Sequence, residues 1–376
     1  MGAHDAPLHA AAHSHHPWPD VTLPAHEAAW RDAARLLDRK WDHVFGSVIP
    51  EAQAHVARVL DLPDPATIVF GPNTHSFVLR LLSCLPRERS PHILTTGSEF
   101  MSFSRQMARL EEEKAVSVTR VPTEPFDSFE QRFSDEVRCG DFDLVYVSQV
   151  FFDSAFAINP AFVARTVSDP QTLIVIDGYH GFMALPTDLG AIADRVFYLA
   201  GGYKYAMAGE GGCFLHCPSG YCPRPRDTGW YAGFSVLEKG GAGVPFAQDG
   251  SRFFGATFDV SGLYRFNAVQ NWLTEQGLTV VRMLEQVRAL DRAFLVELDR
   301  CPGPIASRDL LLADERKRGR FLAFRTQHAG AIAAQLAAEN IIVDHRGDRL
   351  RIGFGIYHDE DDASRLAHAL GRIRLQ

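Results

Sequence analysis

The chain has 376 residues, of which 46% are hydrophobic, and its formal net charge is −8 at pH 7. That length and apolar content are sufficient for a large core and for two domains. The acidic balance argues against a nucleic-acid-binding protein, because such proteins need a dense group of basic side chains on one face. No stretch of about eighteen apolar residues occurs, which argues against a membrane protein.

The N-terminal residues are rich in histidine and lack the basic and apolar regions of a secretory signal, so we expect a cytoplasmic protein. Two interpretations of the histidines are open, metal capture or a disordered or loosely docked tail. The domain assignment treats residues 1–20 as a flexible tail. Its histidines are His4, His9, His13, His15 and His16.

Six cysteines occur, with no spacing that indicates a disulfide framework. A group near residue 215 has the composition of a zinc site, but its spacing matches no common zinc finger. The sequence GCFLHC instead predicts a strand with alternating buried residues. We therefore predict no metal site. The group consists of Cys213, His216, Cys217 and Cys222.

The first regular elements are predicted to be helices. Apolar residues recur at helical spacing between residues 25 and 60, so residues 21–62 are assigned to N-terminal helices on the side of the small domain. A strand at 67–70, a Gly-Pro-Asn-Thr loop and a helix from about His75 follow. Such a loop and helix N-terminus together form an anion site from backbone N–H groups.

Two more strand-loop-helix units lead to the central feature of the sequence. TLIVID is an apolar run that ends in Asp177, and it predicts a buried parallel strand. RVFYLA predicts the next strand, and the Gly-Gly-Tyr-Lys that follows brings Lys204 to the same edge of the sheet. Asp177 and Lys204 should therefore face one crevice.

The C-terminal part mixes helices and strands. Apolar spacing from Gly262 to about Asp299 predicts one long helix. A strand, a helix, a further strand and a final helix from about Glu360 then predict a small α+β domain. Residues 63–262 are assigned to a large cofactor-binding domain, and residues 263–376 to the linker helix and the small domain.

An acid at the end of one buried strand and a lysine just past the next suit pyridoxal 5'-phosphate (PLP). The lysine forms the Schiff base, and the acid keeps the pyridine nitrogen protonated so that the ring can withdraw electrons. A buried ion pair that only joins two strands is the other interpretation. Glycines around Lys204 favour the cofactor, because they leave the backbone room to pass close to a bound group.

The motif Asp177-x-x-His180 followed by Tyr203-Lys204 resembles the kynureninase branch of the class V aminotransferase family, from about Ile68 to the C-terminus. The resemblance implies an α/β fold, the type I fold of PLP-dependent enzymes, with a mostly parallel seven-stranded sheet and a small α+β C-terminal domain. It also implies a homodimer with shared active sites. The four motif residues are the expected catalytic residues.

The resemblance further implies cofactor contacts near the first strands. His75 and Ser76 match the positions that grip the phosphate, and capping of the helix by Asn73 or Thr74 is compatible with that role. Phe100 matches an aromatic ring that stacks on the pyridine. Packing in the core is the alternative for this phenylalanine.

Three more cofactor contacts are implied later in the chain. Trp230 matches a Gly-Trp segment whose indole N–H donates to the phosphate. Thr257 matches a residue that reaches the phosphate of the partner subunit. Asp153 stands where the family shows another motif, so it either approaches the cofactor or caps the helix that begins near Pro160.

Arg351 matches the arginine that binds the substrate carboxylate, a role that suits a forked guanidinium. An ion pair with Asp344 or Asp348 is the alternative. Phe258 replaces a substrate-contacting asparagine, the family's Ser-Asp pair is altered at Phe103, and an N-terminal family motif is absent. These departures argue against kynurenine as the substrate.

The sequence therefore predicts a PLP-dependent enzyme that acts on an L-amino acid, kynureninase-like in being a hydrolase or lyase but not specific for kynurenine. Transamination by a class V aminotransferase is the alternative, and a catalytically silent binding protein with this fold is a third possibility. Desulfurase relatives carry a reactive cysteine ahead of the carboxylate-binding arginine, and no cysteine occurs between Pro302 and Arg351.

Overall fold

A computed structural model describes residues 6–239 and 243–375. The helices are α1 (Thr22–Leu36), α2 (Lys40–His43), α3 (Ile49–Leu60), α4 (Thr74–Leu82), α5 (Met101–Glu112), α6 (Phe129–Cys139), α7 (Pro160–Thr166), α8 (Ser261–Glu275), α9 (Val280–Arg300), α10 (Ala329–Ala338) and α11 (Glu360–Arg372). The strands are β1 (Leu8–His9), β2 (Ile68–Gly71), β3 (His92–Thr96), β4 (Ser117–Val121), β5 (Leu144–Ser148), β6 (Leu173–Asp177), β7 (Phe197–Gly201), β8 (Cys213–His216), β9 (Leu322–Arg325), β10 (Ile341–Ile342), β11 (Asp344–Arg346) and β12 (Arg349–Ile352).

The large domain is built on a seven-stranded sheet in the order β2-β8-β7-β6-β5-β3-β4. Strand β8 is antiparallel to both of its neighbours, and the other pairs are parallel. The central strands β5, β6 and β7 are buried along their whole length, because helices cover both faces of a parallel sheet. The predicted α/β fold with a mostly parallel seven-stranded sheet is confirmed.

A three-stranded antiparallel sheet, in the order β11-β12-β9, forms the small domain together with α9, α10 and α11. Its own apolar core includes Phe294, Leu322, Phe324 and Leu366. The sequence predicted one long helix leading into this domain, but the structure has two. The break follows from Gly277, whose φ of 64° is left-handed, and from Thr279, which accepts a hydrogen bond from the Arg282 N–H and begins α9.

The N-terminal segment, residues 8–16, differs from the flexible tail that the sequence suggested. Strand β1 pairs in parallel with β10, and Ala11 forms a β-bridge with Gly353. Leu8 and Ala10 belong to the apolar core of the small domain. Their burial accounts for the docking, since a short strand gains little without an apolar face to cover.

Within the described residues, no helix is long and apolar enough to cross a membrane. GCFLHC forms β8 and its continuation as predicted, with Cys213 and Cys217 buried.

We predict that Leu8→Ala destabilises the protein by about 2 to 5 kcal/mol, because it leaves a cavity in a packed core. Denaturant unfolding measures the change. Leu23→Ala is the matched control: Leu23 is 66% exposed whereas Leu8 is 3% exposed, so its loss should change stability by about 0.5 kcal/mol or less. Equal effects of the two substitutions would contradict a docked N-terminal segment.

Candidate active site

Asp177 and Lys204 lie at the carboxyl edge of the large sheet. Asp177 is the last residue of β6, and Lys204 follows the end of β7. Both side chains are buried, with exposures of 6% and 7%. Gly178 directly follows Asp177. A larger residue would not fit at this position, since a Cβ there would lie 2.0 Å from the Tyr198 ring.

Asp177 is held from two sides. The Tyr146 hydroxyl donates to Oδ2 at 2.8 Å, and the backbone N–H of Tyr179 donates to Oδ1 at 3.0 Å. Phe103 stacks on the Tyr146 ring with centroids 3.7 Å apart, which fixes the donor. Burial raises the pKa of Asp177, while the two donors and the charge of Lys204 oppose that rise.

Lys204 has partners other than Asp177. Its Nζ lies 3.2 Å from His180 Nε2 and donates to the backbone carbonyl of His13 at 3.3 Å. Burial lowers the pKa of Lys204 to about 7, and Arg351 contributes to the decrease. Among the described side chains, the ion pairs within 4.0 Å do not include one between Lys204 and Asp177. The two charges are therefore not the simple strand-joining pair that the sequence left open.

Both charges line a small cavity, in which the volume accessible to water is about 30 Å³. Four of the side chains that line it are phenylalanine or tyrosine. The Lys204 Nζ lies 6.0 Å from the centre of the Phe100 ring and 5.4 Å from that of Tyr203. The lining residues are Thr74, Phe100, Ser102, Ser148, Phe152, Asp177, Tyr179, His180, Tyr203 and Lys204.

The N-terminus of α4 points at this cavity through Thr74. Asn73 caps the helix, and its Oδ1 accepts from the Ser76 N–H at 3.0 Å and from the Ser76 hydroxyl at 3.2 Å. His75 and Ser76, the residues predicted to grip a phosphate, do not line the cavity. His75 is exposed and borders a separate surface pocket.

Asp153 lies away from the cavity lining, at a contact between the two domains. Its Oδ2 is 3.4 Å from Arg349 Nη1, and its Oδ1 is buried without a hydrogen-bond partner. Asn159 caps α7 instead, accepting from the Ala161 N–H at 2.9 Å. The capping interpretation of Asp153 is therefore wrong.

Trp230 and Thr257 contact each other rather than the cavity. The Trp230 indole N–H donates to Thr257 Oγ1 at 3.3 Å, and the Trp230 side chain is 44% exposed. Thr257 and Phe258 border a surface pocket together with Trp30 and Lys40.

Arg351 is buried and forms an ion pair with Asp344, the alternative that the sequence left open. It also donates to the Phe152 carbonyl, and its Nε has no partner. Arg351 nevertheless lies close enough to Lys204 to lower the pKa of that lysine. Arg351 therefore pairs with Asp344 and also lies near Lys204.

Two residues at the site were missed by sequence reasoning. Glu99 is buried beside the cavity, where its carboxyl accepts from the hydroxyls of Ser148 at 2.6 Å and of Thr96 at 2.7 Å. Burial raises the pKa of Glu99 to about 8. The sequence signal that could have identified Glu99 is its position as an acid just past a buried strand. The other residue is His13, for which the only signal was the small apolar residues before it.

In the part of the chain that the structure describes, one group of three potential metal ligands occurs, Glu297, Cys301 and His368. Glu297 is already paired there with His368 at 3.2 Å and with Arg300 at 3.3 Å. These contacts account for the cluster as surface ion pairs. Cys213 lies on the predicted strand β8 and Cys217 directly follows it, and both are buried.

Comparisons with known proteins concern the fold and the C-terminal part of the chain. Residues 289–370 match the family model of the kynureninase C-terminal domain. No curated protein sequence matches the chain. Within residues 289–370 the predicted resemblance to the kynureninase branch is supported.

Solved structures share the fold at low sequence identity. Apo cysteine desulfurase from Thermococcus onnurineus NA1 is 16% identical with a TM-score of 0.80, covering 97% of this chain and 94% of that chain. The cystine C-S lyase C-DES in complex with cysteine persulfide is 17% identical with a TM-score of 0.81, covering 98% of both chains. The cysteine desulfurase CsdA from Escherichia coli is 17% identical with a TM-score of 0.78, covering 98% of this chain and 95% of that chain. The fold is thus the predicted type I fold of PLP-dependent enzymes.

We predict that Lys204 of the cofactor-free protein is reactive at unusually low pH, because burial favours the neutral amine above a pKa of about 7 instead of the ordinary 10.5. Reductive methylation with formaldehyde between pH 5 and 11, followed by peptide mass spectrometry, measures the midpoint. Lys317 is the control, since its ion pair with Asp127 raises its pKa. Coincident midpoints for the two lysines would refute the shift.

Proposed function

We propose that this chain is a PLP-dependent enzyme that acts on an L-amino acid and binds its cofactor covalently through Lys204. The observation that carries the proposal is the cavity at the sheet edge, where Lys204 and Asp177 are both buried and yet separated. PLP supplies an electron-withdrawing ring that stabilises negative charge at the substrate Cα.

The residues around the cavity fit this cofactor. Asp177 is held by Tyr146 and the Tyr179 N–H in a position to accept from a protonated pyridine nitrogen. Phe100 and His180 supply flat surfaces on which an aromatic ring can stack. The N-terminus of α4 at Thr74 suits the phosphate, because helix N–H groups and the helix dipole favour an anion.

Lys204 also suits proton transfer. A pKa of about 7 leaves much of the amine neutral near neutral pH, so Nζ can accept the Cα proton and later return it. His180 Nε2, 3.2 Å away, orients the amine. Asp177, Lys204 and their partners together argue against a catalytically silent protein.

The proposed reaction is kynureninase-like, either a hydrolysis or a lyase-type elimination. The match at residues 289–370 supports it. Transamination uses the same residues and remains the alternative. Desulfuration is disfavoured although the similar solved structures include desulfurases, because no cysteine precedes Arg351 within residues 302–350. Phe258 in place of asparagine disfavours kynurenine itself.

A homodimer with shared sites is part of the proposal. Thr257 and Trp230 lie at the surface, beside apolar side chains that a lone chain leaves exposed. Trp30 is 71% exposed and Phe234 40%. Exposed apolar groups of this size commonly mark protein interfaces. The proposal keeps three predicted cofactor contacts that do not line the cavity, His75, Ser76 and Asp153.

The proposed compartment is the cytoplasm. All six cysteines are free thiols in the structure, as expected in a reducing environment.

We predict that protein loaded with PLP and reduced with borohydride carries the pyridoxyl group on Lys204. Peptide mapping locates it. Lys204→Ala should abolish turnover, and Asp177→Asn should weaken cofactor retention, because the pyridinium loses its counter-charge. Lys317→Ala is the control and should retain both properties. A label on any other lysine would overturn the assignment.

The reaction is identified by screening L-amino acids for changes in cofactor absorbance and then adding a 2-oxo acid. Turnover that depends on the 2-oxo acid would select the aminotransferase. Turnover without it selects the hydrolase or lyase. Efficient cleavage of kynurenine would refute the substrate claim.

We predict that mixing Lys204→Ala with Thr257→Ala subunits restores about a quarter of wild-type activity. Random exchange makes about half of the dimers mixed, and each mixed dimer rebuilds one of its two sites. Mixing Lys204→Ala with Lys204→Met is the control and should restore nothing. Absence of recovery in the first mixture would count against shared sites.

A further inference from the structure

His13 is built into the candidate active site by its backbone. The Ala12 N–H donates to the Gly353 carbonyl at 2.9 Å, and the His13 carbonyl accepts from Lys204 Nζ at 3.3 Å. The residue is thereby fixed between the small domain and the catalytic lysine.

The His13 ring is fully buried, and both ring nitrogens lack a hydrogen-bond partner. It stacks on Phe321 with centroids 4.6 Å apart. Gly353 makes room for it, since a Cβ at that position would lie 2.6 Å from Nδ1. Buried polar atoms are nearly always satisfied in folded proteins, so an unpartnered ring in a fitted position indicates a partner that arrives later.

The nearest candidate is already present. His13 Nε2 lies 3.8 Å from Asp344 Oδ2, the same oxygen that pairs with Arg351. This distance is about 1 Å longer than a hydrogen bond. The charged and titratable groups around the ring are Asp344, Arg351, Lys204, His16 and His180.

A substrate carboxylate that binds Arg351 competes with Asp344 for one guanidinium. Asp344 keeps its ion pair with Arg346 through Oδ1 at 2.7 Å, but its side chain is only 15% exposed and the displaced Oδ2 loses its donor. A new donor to that oxygen is therefore favourable. Burial lowers the pKa of His13 to about 3, so the ring is neutral and carries a proton on one nitrogen. An Nε2–H can therefore donate without any change in protonation.

We propose that His13 is a positioning residue that receives Asp344 by hydrogen bond when the substrate carboxylate takes its place on Arg351. The proposal rests on the proposed function of Arg351 in binding an amino acid. The exchange breaks the ion pair between Asp344 and Arg351 and forms two contacts, Nε2–H to Asp344 and Arg351 to the substrate. No proton is transferred.

The test compares L-alanine with ethylamine, which lacks the carboxylate, as ligands of the PLP-loaded protein. Cofactor absorbance gives the two Kd values. His13→Phe keeps a ring for stacking but removes the donor, so it should raise the Kd of L-alanine about tenfold or more, as expected for losing a hydrogen bond to a charged group. The Kd of ethylamine should change by about twofold or less.

His13→Gln keeps an N–H donor and should restore most of the affinity. In an Asp344→Asn background there is no charge to receive, so His13→Phe should then have little further effect. His328→Phe is the control, because His328 is exposed and lies at the N-terminus of α10. Equal weakening of L-alanine and ethylamine by His13→Phe, or no weakening of either, would overturn the proposal.

Calorimetric titration with propionate separates this proposal from the previous one, because it needs no cofactor. If Lys204 carries no pyridoxyl label, the proposed function fails. Propionate binding that requires Arg351 and is weakened by His13→Phe would still support the exchange at Asp344. Propionate binding that is insensitive to His13→Phe would reject it.

Discussion

The structure of the site depends on keeping two buried opposite charges apart. Lys204 and Asp177 could satisfy each other, yet each is held by its own partners: His180 and the His13 carbonyl for the lysine, and Tyr146 with the Tyr179 N–H for the acid. Burial therefore lowers the pKa of the lysine and raises that of the acid. A separation of this kind stabilises a bound group that offers complementary charge to both ends.

The parallel sheet supplies that separation. Ser148 and Asp177 are in register at the ends of β5 and β6, so two polar side chains emerge together at one edge. Glu99 binds Ser148 behind Asp177 and adds a second buried carboxyl to the same edge. Its pKa near 8 favours the neutral form, so it does not compete with Asp177 for a cation near neutral pH. The edge is thus polar but carries little net charge beyond the lysine and Asp177.

What could be predicted from the sequence is what local patterns determine. The strand ending at Asp177, the loop at Lys204 and the α/β fold follow from apolar runs and their breaks. Three of the predicted cofactor contacts, Phe100, His180 and Tyr203, line the cavity. The pairing of Arg351 with Asp344 could only be left open, because Asp348 also precedes the arginine and lies closer to it in the sequence. The docking of His13 could not be predicted, since it depends on β10 and Gly353 more than 300 residues away. The break at Gly277 was visible as a glycine, but apolar periodicity on both sides concealed it.

The N-terminal segment links the two domains through Lys204. It pairs with β10 in the small domain, while the carbonyl of its His13 accepts from Lys204 in the large domain. Arg351 makes a similar link, since its guanidinium lies on β12 and donates to the Phe152 carbonyl beside the cavity. Movement of the small domain would therefore change the surroundings of Lys204 and the occupancy of Arg351 together. If Arg351 binds a substrate carboxylate as proposed, that binding and the environment of the Lys204 amine are therefore not independent.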